Sequence, residues 1–137
     1  MNRWLFKSDP DVYSWIDLQK VKKEMWDGVA NNLALKNLRT IQKGDLIFIY
    51  HSGADKSIIG IAKALSASYP NPSEKDPKLA VIDIAPLESL VRPVTLAEVK
   101  KNKKLQSWEL VRFSRLSVMP VTSEQWEEIL SMSRKEK

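Results

Sequence analysis

Apolar and polar positions along the chain change period often, and each change marks an element. Trp4 and Phe6 fall on one face of a short strand from Arg3 to Lys7, which breaks at Ser8-Asp9-Pro10-Asp11. Ser14 opens a helix, with Asp17 three residues on in a capping-box relation and Trp15, Leu18 and Val21 along one side. Met25 to Asp27 reads as a brief strand before Gly28, and Asn31 to Arg39 as a short helix with Leu35 and Leu38 inward. Gly44-Asp45 is a turn into the apolar strand Leu46–Tyr50, followed by a loop, His51–Asp55. Ser57 to Leu65 is the next strand, and Gly60 within it signals a bulge or a close backbone approach. Tyr69 to Lys78 carries three prolines, Pro70, Pro72 and Pro77, and reads as a surface connection. Leu79 to Ile84 is a strand that extends toward Val91. Thr95 and Glu98 box a helix ending near Asn102, Leu116–Met119 forms the last strand, and Thr122 with Gln125 caps a final helix. That helix turns Trp126, Ile129 and Leu130 to the core.

This gives about five or six strands with four short helices at the connections. Long helices do not alternate with the strands, which argues against a doubly wound parallel sheet. A small, strongly curved sheet or barrel of α+β class fits better, and no linker divides residues 1–137, so one domain is expected.

Composition narrows the function classes. The absence of Cys excludes disulfides, thiolate catalysis and Cys-based zinc sites. No apolar run approaches the ~18 residues a bilayer span needs, and the N-terminal segment does not read as a signal peptide, so a cytoplasmic protein without a membrane partner is expected. The charge of +5 permits a polyanionic partner without requiring one. Lys100, Lys101, Lys103 and Lys104 read as a solvated run, whereas Lys7, Lys36, Arg39, Lys56 and Lys63 flank the motifs that follow.

Catalytic patterns are missing. His51, Ser52 and Asp55 suggest a triad, but neighbouring strand positions face opposite ways and no G-x-S-x-G elbow surrounds Ser52. His51 is the only His, and no phosphate-cradling glycine loop occurs. Asp9, Asp11 and Asp27 sit at turns, where Asp usually caps. No catalytic residue, metal site or cofactor is expected.

What stands out is aromatic and polar. Of five Trp, Trp4, Trp15, Trp108 and Trp126 read as core, while Trp26 sits beside a glycine loop and could wall a site for a flat ring. Lys7-Ser8-Asp9 and Tyr50-His51-Ser52 leave polar groups at strand ends, and Arg112 and Arg115 bracket Ser114. Caps and turns would explain each alone; together they could line the mouth of a small barrel.

In series these motifs resemble the EVE domain family: Trp4-x-Phe6-Lys7-Ser8-Asp9-Pro10, Trp26-Asp27-Gly28-Val29-x-Asn31, Asn37-Leu38-Arg39, Gly44-Asp45, Phe48-x-Tyr50-His51-Ser52, Gly60-Ile61-Ala62, Tyr69-Pro70, Arg92-Pro93-Val94-Thr95-Leu96 and Arg115-Leu116-Ser117-Val118. The resemblance implies a PUA-like fold, a small and mostly antiparallel β-barrel with peripheral helices. It implies a non-enzymatic nucleic-acid-binding domain, for DNA or RNA, that holds a modified base flipped into a pocket. Carried over, Trp26 would be the stacking wall, Ser8, Asp9 and Asn31 would bond the base edge, and Tyr50, His51 and Ser52 would form the opposite rim. Lys7, Arg39, Arg112 and Arg115 would meet phosphates. Many relatives have Arg or Gln where this chain has Ala30, Leu33 and Leu35, so the resemblance implies a less basic rim there. A monomer or weak dimer is expected. The alternatives are a sensor of a free small molecule such as a nucleoside, and a small enzyme acting on modified bases.

Overall fold

The computed structural model describes residues 2–135. Its sheet is built from β1 (Arg3–Ser8), β2 (Glu24–Trp26), β3 (Leu46–His51), β4 (Ser57–Ala64), β5 (Tyr69–Pro70), β6 (Ala80–Thr95) and β7 (Val118–Val121). The strand order is β2-β6-β4-β3-β1-β7, with β5 beside β6. Among the described residues only β1 and β3 pair in parallel, and the other five pairings are antiparallel. The curled sheet is a mixed half-barrel, since β2 and β7 lie at opposite ends of the order.

Among the described residues five α-helices and a 3-10 turn (Lys103–Leu105) pack around it: α1 (Trp15–Val21), α2 (Asn32–Thr40), α3 (Leu96–Lys101), α4 (Glu109–Arg112) and α5 (Ser123–Arg134). The capping boxes at Ser14/Asp17, Thr95/Glu98 and Thr122/Gln125 all form, each satisfying two backbone N–H groups at a helix start. Trp4, Trp15, Trp108 and Trp126 are core residues, and Trp126 stacks on Phe48 with ring centroids 3.7 Å apart.

Four local readings change. Val21 is exposed, because a spacing of three residues drifts by roughly 60° per step around a helix and carries Val21 away from the Trp15 side. Tyr69-Pro70 pairs with β6, so the proline-rich connection contributes a two-residue strand. β6 continues past Val91 to Thr95, and shifts register twice against β4, which lets so long a strand follow the curl. α4 has no side-chain cap at Trp108, and so leaves no N-terminal signature in the sequence.

Gly60 lies at one of those register shifts. A Cβ there would come within 2.5 Å of the Trp15 ring, so both meanings of an interior strand glycine apply. Trp15 is fixed further by its indole N–H, which donates to Ser89 Oγ at 2.9 Å.

Candidate functional site

The site grows from the ends of two parallel strands. Lys7 registers with Tyr50 and Ser8 with His51, so strand alternation puts Lys7 and Tyr50 on one face and Phe6 and Ser8 on the other. On the first face the Lys7 ammonium sits 5.7 Å from the centroid of the Tyr50 ring. On the second, Phe6 packs against Trp26 with centroids 5.5 Å apart. Tyr13 meets Trp26 edge-on at 5.9 Å. Trp26 is therefore part of the core, with 8% of its surface still open.

That opening faces a cavity of about 440 Å³, lined by Lys7, Ser8, Asp9, Val12, Tyr13, Glu24, Met25, Trp26, Asp27, Gly28, Val29 and Ser117. Gly28 takes φ +80°, a left-handed conformation that turns the chain sharply after β2. The loop after β1 folds over the other side. Its Val12 and Tyr13 N–H groups donate to Asp9 O, and Asp11 N–H donates to Asp9 Oδ1 at 2.9 Å.

The cavity is rich in hydrogen-bond acceptors. Ser8 Oγ donates to the Tyr13 carbonyl at 2.5 Å, so its lone pairs are what remain to a ligand. Asp9, Glu24 and Asp27 bring three carboxylates, against the single ammonium of Lys7. Burial lowers the Lys7 pKa from its ordinary value. The Tyr13 hydroxyl is buried beside Glu24 without completing a well-formed hydrogen bond. Burial first, and the Glu24 carboxylate second, push its pKa up, so the phenol stays protonated.

A cleft adjoins this cavity, and a groove adjoins the cleft. The cleft, of about 270 Å³, holds Lys7, Tyr50, Ser52, Lys56 and Lys100 over an apolar floor that includes Leu96 and Leu110. The groove, of about 360 Å³, holds Asn31, Leu33, Arg112, Phe113, Ser114, Arg115 and Leu116. Lys7 borders the cavity and the cleft, and Ser114 borders the cleft and the groove. Lys7 Nζ donates to Ser114 O at 2.8 Å, which closes the link between them.

The residues singled out from the sequence thus fall into several places. Trp26, Ser8, Asp9 and Lys7 share the cavity. Tyr50 and Ser52 line the neighbouring cleft, and Arg112 and Arg115 line the groove. Asn31 stands with the two arginines, and its Oδ1 accepts from Leu33 N at 3.0 Å and Ala34 N at 3.1 Å as the N-cap of α2. Asn31 caps α2 at the groove and does not line the cavity beside Trp26, where the resemblance implied a base-edge role for it. Arg39 donates to the Lys78 carbonyl and lines none of the three depressions.

His51 also serves the fold. It is buried, its Nε2 accepts from the Trp15 backbone N–H at 2.9 Å, and its Nδ1 lies 3.1 Å from Asp55 Oδ2. With Nε2 accepting, the ring proton sits on Nδ1 and faces the carboxylate. The nitrogen that a general base would use is occupied, so the His51–Asp55 pair aligns a helix start with a strand end. Among the described residues no group of three His, Cys, Asp or Glu is placed to hold a metal ion, and no helix is long and apolar enough to cross a membrane.

Glu24 and Asp27 were not singled out as base contacts from the sequence. Glu24 could have been found, because residues two apart on a strand share a face, and Trp26 was already a candidate. Tyr13 gave no such signal, since its position depends on how the loop after β1 closes.

A curled mixed sheet with helices around it and a polar pocket at its strand ends defines a PUA-like domain. Within that class the chain belongs to the EVE domain family, whose model matches residues 2–132. It is 31% identical to thymocyte nuclear protein 1 of Rattus norvegicus, covering 98% of this chain and 75% of that protein. The solution structure of a Rhodopseudomonas palustris protein superposes with a TM-score of 0.92 at 38% identity, covering 97% of this chain and 93% of the other. Human THYN1, crystallised in complex with DNA containing 5-methylcytosine, superposes with a TM-score of 0.91 at 30% identity, with 100% of both chains covered.

Proposed function

We propose that this domain binds DNA without catalysing a reaction and holds one flipped, modified base in the cavity beside Trp26. The observation that carries the reading is the contrast in charge. Asp9, Glu24 and Asp27 line the cavity with Lys7 as its one cation, whereas Lys56, Lys100, Arg112 and Arg115 line the cleft and the groove. A phosphate would be repelled from the acidic cavity and drawn to its surroundings. An uncharged ring with amino hydrogens suits the cavity itself, because carboxylates accept from exocyclic amines. The volume of about 440 Å³ lies in the usual range for a small-ligand site.

The energetics fit a flipped base. Extrusion from the stack costs a few kcal/mol, and stacking on an aromatic ring returns ~1–3 kcal/mol. Lys7, Arg112 and Arg115 then meet flanking phosphates, which position the strand without reading its sequence. The acceptor-rich edge favours an amino base, such as 5-methylcytosine, over thymine, which carries the same methyl but a carbonyl at position 4. The DNA complex of human THYN1 supports the choice of polymer and modification.

Quenching of tryptophan fluorescence tests this. Duplexes carrying 5-methylcytosine, cytosine or thymine at one position are titrated at low and high salt, alongside matching RNA and the free nucleoside. The expected order places the 5-methylcytosine duplex first and thymine last. Equal, weak and salt-sensitive binding to every polymer would overturn the reading. Free nucleoside bound as tightly as duplex, with little salt dependence, would instead favour a small-molecule sensor.

A further inference from the structure

We propose that Phe113 is a stacking platform for the base next to the flipped one; the proposal rests on the DNA-binding reading above. The chain has three Phe; Phe6 and Phe48 are fully buried, whereas Phe113 is 46% exposed. It sits on the turn between α4 and β7, and that turn is well tied. Phe113 N donates to Glu109 O at 2.7 Å, and Leu116 N donates to Phe113 O at 3.1 Å. Lys7 grips the same segment twice, through Nζ to Ser114 O at 2.8 Å and through its backbone N–H to Ser117 O at 2.9 Å. An aromatic ring fixed on a braced turn and left open to solvent does little for the core.

Its surroundings select the occupant. The Arg112 guanidinium lies 5.3 Å from the Phe113 ring centroid, and Arg115 lines the same groove. The groove lining contains two guanidiniums and no carboxylate, the reverse of the base cavity. An exposed aromatic ring with one guanidinium over it and a second in the same groove matches a nucleobase and its flanking phosphates. Ser117, four residues beyond Phe113, already lines the base cavity, so one strand of DNA can meet both places. The ring then takes up the stacking face that the flipped base vacates for its neighbour.

The test uses the whole chain and a duplex with one 5-methylcytosine and the fluorescent base 2-aminopurine beside it, on either side in separate duplexes. Wild type is expected to quench 2-aminopurine on one side by stacking. Phe113→Ala is expected to weaken duplex binding roughly tenfold or more and to lose that quenching. Phe113→Trp is expected to restore both. Binding of free 5-methylcytidine, which reports on the Trp26 cavity alone, is expected to be equal in all three proteins. Unchanged duplex affinity and quenching in Phe113→Ala would overturn the proposal. So would an equal loss of nucleoside binding, which would mark Phe113 as a support of the cavity. Failure of the cavity reading would show separately, as no nucleoside or modification preference in wild type.

Discussion

The Lys7 ammonium donates to the Ser114 carbonyl across 2.8 Å, and so the end of the first strand holds the turn that carries Arg112, Phe113 and Arg115. This bond ties a residue that lines the acidic cavity to one that lines the cationic groove, and so couples the proposed base and backbone sites.

Arg115 tests the backbone part. Arg115→Gln should weaken binding to modified and unmodified duplexes by similar factors. It should also reduce the slope of log affinity against log salt by about 1, as loss of one phosphate contact requires. Affinities measured over a range of salt concentrations check this; a change in base preference with an unaltered slope would assign Arg115 to base reading.

Trp26 and Trp126 should respond differently to truncation. Trp126 stacks on Phe48 and has the Arg3 guanidinium 5.5 Å from its ring, so Trp126→Ala should cost about 3–5 kcal/mol in urea unfolding. Trp26→Ala should also lower stability, because Phe6 and Tyr13 pack on it. The milder Trp26→Phe keeps an apolar ring against Phe6 and should weaken base binding with a smaller loss of stability. Full base affinity in Trp26→Phe, with thinner stacking surface, would weaken the case for Trp26 as the wall.

Gly60→Ala should destabilise by about 1–3 kcal/mol, the usual cost of overpacking. The added Cβ would meet the Trp15 ring at 2.5 Å, and that ring is held by Ser89 and by the His51–Trp15 backbone bond, so it has little room to yield. Urea unfolding followed by tryptophan emission measures the effect.

Glu98 gives the acid limb of stability. Its carboxylate pairs with Arg92 in two bonds of 3.0 and 2.8 Å and accepts from Thr95, and the Arg92 guanidinium is the main cause that holds its pKa down at about 2. Its ordinary value is 4.5. A carboxyl with a depressed folded pKa contributes stability above its unfolded value and loses it as pH falls through its folded value. The contribution should therefore be complete above pH 4.5 and disappear toward pH 2, and Glu98→Gln should flatten stability against pH in that window. Equal acid limbs in the two proteins would contradict the assignment.

Much of this architecture was legible because it is written in local patterns. Three capping boxes, the inward Leu35 and Leu38, and the crowded Gly60 each follow from residue type and spacing. The parallel β1–β3 pairing was not, since α1, β2 and α2 intervene and nothing local to either strand specifies it. The same limit applies to the site. Trp26 was marked by its glycine loop, but the cavity's acidic character depends on the fold bringing Glu24 of β2 and Asp9 of the loop after β1 to one lining. Phe113 was not singled out from the sequence, and its exposure is what sets it apart from Phe6 and Phe48.

The most direct test of a base held against Trp26 is the indole region of a ¹H–¹⁵N spectrum, where the five tryptophans report separately and Trp26→Phe identifies one signal. Adding a duplex with a single 5-methylcytosine should shift the Trp26 indole signal strongly and leave those of the core residues Trp108 and Trp126 nearly in place, with the thymine duplex producing a much smaller change. A Trp26 signal that does not move while Lys and Arg resonances do would contradict the account.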